Sequence, residues 1–209
     1  GFKTAILDAD ITGPSIPKAF GTHKMPEAEG DYLYPDETST GIKIMSVNLL
    51  LDSETTPVLW RGPIIANSVK QFYSDIIWGD IDYMFIDCPP GTGDVPLTIF
   101  QSIPIDGVVV VTTPQDLVSV IVGKAVHMAD SMNIPVIGMV ENMSYFICPN
   151  CSGKHYIFGH SRLEEVMKEL YIGNAIRLPI NPDLADLMDH GRIEEMADNK
   201  DLQEMADLI

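Results

Sequence analysis

Short apolar runs alternate along this chain with longer amphipathic stretches. The runs are "TAILDAD", "IKIMSVN", "YMFIDCPPG", "GVVVVTTPQ", "IPVIGMVEN" and "AIRLPIN", each closed by a polar residue or by Gly and Pro. They are continuous and β-branched rather than alternating, the pattern of strands buried on both faces of a parallel sheet. Between them, residues 64–77 gather Ile64, Ile65, Val69, Phe72, Ile76 and Ile77 near one helical face. Residues 116–130 do the same, less cleanly, with Val118, Val122, Val126 and Met128. Residues 161–170 and 199–209 read as charged amphipathic helices. Strand and helix in alternation predict an α/β protein with a doubly wound, mostly parallel sheet. Residues 22–40 and 144–159 read as excursions from that sheet. No internal repeat or low-complexity tract interrupts the pattern, so residues 1–209 are expected to form a single domain.

Charge and cysteine usage narrow the function classes. Thirty acidic residues against 13 basic ones give a net charge of -17, which repels phosphate backbones and anionic lipid heads. Nucleic acid and membrane are therefore not expected as partners. Apolar residues make up 45% of the chain, yet no run reaches membrane-spanning length, which is the composition of a soluble globular protein. No basic, apolar leader opens the sequence, which points to the cytoplasm. In that compartment a Cys-x-x-Cys is metal-binding or redox-active rather than a structural disulfide.

Ligands of open α/β sheets bind beyond the carboxyl ends of the strands. Asp8 and Asp10 close the first run, Asp87 the third, Thr112 and Thr113 the fourth, and Glu141 and Asn142 the fifth. Converging carboxylates with Gly/Pro turns suit a hard cation and a phosphate. Asp87 after "YMFI" fits an acid that orients Mg²⁺, although an acid there also commonly caps the next helix. The Gly91–Gly93 turn allows backbone N–H groups close to a terminal phosphate. Cys88, beside a buried strand, reads as a small core residue.

Together, "LDADITGPSIP", "FIDCPPGTGD", "VVVTTPQ" and "ENMSYFICPNC" resemble the Mrp/ApbC-type iron–sulfur carriers, relatives of MinD and ParA among the deviant P-loop ATPases. The likeness runs from the first residues to about residue 190. It implies an ATP-dependent homodimer that assembles an iron–sulfur cluster and passes it to apo-proteins. By the same likeness Asp10 orients the attacking water, Asp8 lies beside Mg²⁺ and Asp87 is the Walker-B acid. Asn142 contacts the adenine, and Pro179 and Asn181 to Asp183 border the base. One departure is plain: no G-x-x-x-x-G-K-[ST] occurs in the chain. The sequence therefore reads as lacking the family's first strand–P-loop–helix unit, with weak Mg·ATP binding as the expectation.

The remaining motif is "YFICPNCSG", in which Cys148 and Cys151 stand two residues apart. A cubane [4Fe–4S] cluster takes four thiolates, so this pair is half a site, completed by the matching pair of a second chain across a twofold axis. Zinc takes the same four sulfurs, and spacing alone leaves both metals open. His155 and His160 follow closely, as substitute ligands or as surface histidines without a role. Two rival functions accompany the carrier reading: a MinD/ParA-like positioning ATPase, which the acidic C-terminal segment fits badly, and a non-enzymatic zinc-stapled dimer.

Overall fold

The apolar runs become strands where the pattern predicts them. The computed structural model describes residues 1–30, 32–50, 62–196 and 200–209, and the Val118 side chain and Asn199 fall outside the described residues. In chain order the elements are β1 (Thr4–Asp8), α1 (Ile16–Phe20), β2 (Glu27–Glu29), β3 (Tyr32–Tyr34), β4 (Asp36–Glu37), β5 (Lys43–Ser46), α2 (Gly62–Ser74) and β6 (Tyr83–Asp87). They continue with α3 (Asp94–Ser102), β7 (Val108–Thr112), α4 (Asp116–Ser131), β8 (Val136–Ile147), β9 (Lys154–His155), α5 (Leu163–Glu169), β10 (Ala175–Pro179), α6 (Pro182–Asp189) and α7 (Lys200–Ala206). The result is an α/β fold with mostly parallel pairing. By their contacts the described residues group into two compact units: Gly1–Ile103 with Leu184–Met196, and Pro104–Asp183 with Ala197–Ile209.

The first unit carries a sheet of order β4-β5-β1-β6. β1 runs parallel to β5 on one side and β6 on the other, and only β4 is antiparallel. Ala5, Leu7, Ile44 and Met45 are fully buried in it. Of the predicted α2 stripe, Ile65, Val69, Phe72 and Ile76 are buried. Ile64 is exposed because the spacing 65, 69, 72 holds the inner face of α2; beyond the helix end at Ser74, Ile76 is buried where it bridges Leu33 and Ile77 is exposed. The excursion at 22–40 contains the hairpin β2–β3 and then β4.

Segment 184–196 is tied to this unit by two devices. Glu194 accepts hydroxyl hydrogen bonds from Thr38 (2.6 Å) and Ser39 (3.0 Å), and from Thr40. Gly21, which ends α1 at φ 66°, crosses Gly191 so closely that a Cβ there would lie 2.5 Å from the Gly191 carbonyl oxygen. Only glycine suits that position, both for its left-handed backbone and for the crossing.

In the second unit the order is β10-β8-β7, all parallel, with β9 folded back antiparallel on β8. One cluster joins Val110, Met139, Val122, Val126, Leu163 and Ile172. Val140, Ile176 and Met205 form a second, through which α7 covers the sheet. Ala129, rather than Met128, is the fully buried residue near the end of α4. No helix among the described residues is long and apolar enough to cross a membrane.

Candidate functional site

Parallel register lines up three polar residues at the carboxyl ends of the first unit's strands. Asp8 pairs with Ser46 of β5 on one side and Asp87 of β6 on the other. Asp8 is fully buried and accepts hydrogen bonds from Ser46 Oγ (3.0 Å) and the Asp10 N–H (3.2 Å). Asp10 begins the turn "DITG", and its Oδ1 accepts from Thr12 Oγ1 (2.8 Å) and the Gly13 N–H (3.1 Å). The Ala9 N–H donates to the Asp87 carbonyl oxygen (2.8 Å), so the strand ends are stitched together below the carboxylates.

Burial and neighbouring charge perturb two of these acids, Asp8 and Asp87. Burial, then the Asp87 charge, outweigh the Ser46 and Asp10 hydrogen bonds and raise the Asp8 carboxyl from 3.8 to about 6. Asp87 stands at an exposed strand end, yet the protein crowding its carboxyl, then the Asp10 charge, push it above the ordinary aspartate value. No lysine or arginine among the described residues acts on either group. An oxygen-only donor set of this kind, short of positive charge, fits a hard divalent cation such as Mg²⁺. The neighbouring Cys88 thiol is pushed up to about 12 by burial, then by Asp87, which keeps it protonated and unreactive.

Gly91 follows in the left-handed region at φ 92°, and Gly93 is the N-cap of α3. A Cβ at either position would meet nothing within 4 Å, so the backbone here is open to an approaching ligand. α3 itself was not visible in the hydrophobic pattern. Its N-terminal N–H groups, which lie just beyond the Gly turn, suit an anion.

Within the second unit, Asn142, Pro179, Asn181 and Asp183 lie on or just beyond the neighbouring strands β8 and β10. Asn142 Oδ1 accepts the Met143 N–H (2.8 Å), at a residue whose φ is 54°. Pro179 pairs with Tyr145 past a register shift in β10. Asn181 Oδ1 accepts the Asp183 N–H (3.0 Å), capping α6, where Pro182 takes the first helical position. Glu141 is buried and hydrogen-bonded by Ser144 (2.6 Å) and Ser161 (2.9 Å), with Arg177 at 3.6 Å. That carboxylate is a structural anchor, not a free ligand.

The excursion at 144–159 is more ordered than its composition suggests. β8 continues through Ile147, and β9 returns beside it with Phe146 opposite His155 and Ile147 opposite Lys154. Between them the Cys148 N–H donates to the Gly153 carbonyl (2.9 Å), and the Ser152 N–H donates to the Cys148 carbonyl (2.8 Å). The chain turns with Ser152 at φ 56°. Donors on the Asn150 and Cys151 backbone, then the Cys151 thiol, hold the Cys148 thiol below its ordinary value, which favours the ligating thiolate. The ligand atoms of Cys148, Cys151 and His155 lie within 4.8 Å of one another at this ribbon tip. His160 is not in the group; its ring packs on Tyr156 at 4.8 Å. The spacing C-x₂-C-x₃-H carries the signal for His155, but composition alone cannot separate it from His160.

Comparisons with known proteins place the chain in a family. The ParA family, described as NUBPL iron-transfer P-loop NTPase, matches residues 1–209. A Methanocaldococcus jannaschii protein called "Iron-sulfur cluster carrier protein" is 44% identical over 211 residues, covering 100% of this chain and 73% of the relative. An Archaeoglobus fulgidus structure, described as a nucleotide-binding protein in complex with ADP and with Co found, superposes with a TM-score of 0.82 at 41% identity, over 95% of this chain and 78% of that one. The Pyrococcus furiosus cell division ATPase MinD superposes with a TM-score of 0.67 over 100% of this chain and 85% of its own, but at 13% identity that likeness shows the fold alone.

Proposed function

The chain belongs to the NUBPL iron-transfer P-loop NTPase family, and from that membership we propose that it carries a [4Fe–4S] cluster between two copies of itself and delivers it to apo-proteins under the control of ATP hydrolysis. The observation that carries the reading is the convergence of Cys148 and Cys151 at the exposed tip of the β8–β9 ribbon. Two thiolates from each of two chains complete the four that a cubane cluster takes. Exposure at a ribbon tip lets the cargo be handed on without unfolding either unit.

In this reading the first unit carries the acids of the hydrolytic site, while the family's G-x-x-x-x-G-K-[ST] loop is not among residues 1–209. Asp8 and Asp87 hold the Mg²⁺ or its water shell, and Mg²⁺ supplies charge neutralisation to the transferring phosphoryl group. Asp10, whose Oδ1 is fixed by Thr12 and Gly13, orients the attacking water with its other oxygen. The Gly91 turn and the α3 N-terminus offer N–H groups to the terminal phosphate. Asn142 contacts the adenine, and Pro179, Asn181 and Asp183 border it. The protein acts in the cytoplasm as a homodimer, with no nucleic-acid or membrane partner. The relatives' name favours the carrier over a positioning ATPase, because MinD shares only the fold.

Anaerobic reconstitution with iron and sulfide tests the cargo site. Cys148→Ser and Cys151→Ser should each lose the brown chromophore, and Cys88→Ser, whose thiol stays protonated, should keep it. Equal cluster content in Cys148→Ser and the parent would falsify the assignment.

A further inference from the structure

We propose that Cys148, Cys151 and His155 of a single chain form a mononuclear site for a divalent metal of the Zn²⁺ type, distinct in its ligand set from the bridging cluster. The proposal rests on the reading of the two cysteines as metal ligands and adds a third ligand and a second occupant to it. The three ligand atoms lie within 4.8 Å of one another. A tetrahedral Zn²⁺ with bonds of about 2.3 Å to sulfur and about 2.0 Å to nitrogen holds such atoms roughly 3.5–3.8 Å apart. The gap to close is at most about 1.3 Å, within the reach of side-chain rotation at an exposed tip.

Ribbon geometry explains why His155 belongs. His155 stands opposite Phe146, and Cys148 lies two residues beyond Phe146, so alternation puts Cys148 and His155 on one face. Lys154 falls on the other face, its Nζ 4.2 Å from the centre of the Tyr145 ring, and its charge is thereby held away from the sulfurs.

A second observation is independent of the first. Gly153 does not occupy the left-handed region, so its backbone does not demand glycine. Gly153 instead sits beside two of the donors: a Cβ there would be tight against Cys151 Sγ at 3.3 Å and in ordinary contact with His155 Nε2 at 3.6 Å. Glycine thus leaves the sulfur and the imidazole uncrowded from this side.

Two thiolates and one neutral imidazole balance a 2+ charge with one coordination position left over. Three protein ligands and an open fourth position characterise an exchangeable site rather than a closed structural one. Zn²⁺ and the cluster compete for the same two sulfurs, and His155 separates them: the mononuclear site uses it, the bridging cluster does not. Metal loading of one chain therefore blocks cluster assembly between two.

The test is titration of the reduced chain with Co²⁺, followed by thiolate-to-cobalt charge transfer and the visible bands of tetrahedral Co²⁺. The parent should saturate at one Co²⁺ per chain. His155→Ala should weaken binding by at least about tenfold, the low end of what loss of even an outer partner costs a metal site. His160→Ala should bind as the parent does, and Cys148→Ser should lose the bands. His155→Ala should still reconstitute the iron–sulfur chromophore, which also reports that it is folded. Parent-like Co²⁺ affinity in His155→Ala, or saturation at one Co²⁺ per two chains, overturns the proposal. If the parent binds Co²⁺ through His155 but never takes up a cluster, the mononuclear site stands and the carrier reading falls.

Discussion

Asp8→Asn should make the unliganded chain more stable at neutral pH. Asp8 is fully buried and its carboxyl is raised from 3.8 to about 6, first by burial and then by Asp87. A shift of about two units corresponds to roughly 3 kcal/mol of penalty for keeping this side chain ionised in the folded state. The sign follows from proton binding. The folded state holds the proton more tightly than the unfolded one, so the penalty is absent below about pH 4, grows between about 4 and 6, and is complete above that. Asparagine removes the charge but cannot accept from both Ser46 and the Asp10 N–H as well as the carboxylate does, which returns about 1–2 kcal/mol. The net gain expected at pH 7.5 is therefore about 1–2 kcal/mol, shrinking and then reversing as the pH falls toward 4. Urea unfolding followed by tryptophan fluorescence reads this unit, because the buried Trp78 belongs to it. A destabilised Asp8→Asn at pH 7.5, or a difference from the parent that does not change between pH 4 and 7.5, would refute the reasoning. A buried charge that weakens the fold in the absence of ligand is the kind of cost retained for a site that needs it.

Glu194 should behave in the opposite sense. Burial alone would raise its carboxyl, but hydroxyl donors on Thr38, Thr40 and Ser39 hold it below the ordinary value, so its stabilisation is present above about pH 4.5 and lost on acidification. Glu194→Ala should cost about 2 kcal/mol at pH 7 in the same urea assay, with a smaller loss for Glu194→Gln. If Asp10 and Asp87 divide the labour as proposed, then in a chain to which the missing G-x-x-x-x-G-K-[ST] segment has been restored Asp10→Asn should still bind nucleotide and lose turnover. Asp87→Asn should lose Mg²⁺-dependent binding as well; calorimetry with and without Mg²⁺ separates the two, and equal effects of both substitutions would count against distinct roles.

What the sequence discloses here follows from how each feature is encoded. Continuous apolar runs mark strands, and all six runs became strands, with Asp8 and Asp87 closing β1 and β6, although Phe85 and Val111 stand exposed rather than buried. Asp8 and Asp87 were therefore legible as neighbours in kind, although their pairing in register, with Ser46 completing the row, depends on the order β5-β1-β6, which no local pattern fixes. α1, α3 and α6 escaped because they are short and open with Pro or Gly rather than with a long apolar stripe. The extension of β8 through Ile147 escaped because Asn142, Met143 and Ser144 interrupt its apolar run, while the strand is carried by pairing with β10 and then β9.

The cysteine loop shows the same division most sharply. Two thiols at a fixed spacing are a local signal, and the expectation that they form half of a metal site follows from that spacing alone. The third donor is not local in that sense. Whether His155 or His160 joins the thiols depends on the register of a two-residue strand, on which face alternation assigns to each residue, and on the room that Gly153 leaves. A one-residue slip of β9 would turn Lys154 toward the sulfurs and His155 toward Tyr145, exchanging a ligand for a repelling charge. Register, not residue type, thus decides whether one chain can hold a metal ion by itself or only as half of a pair.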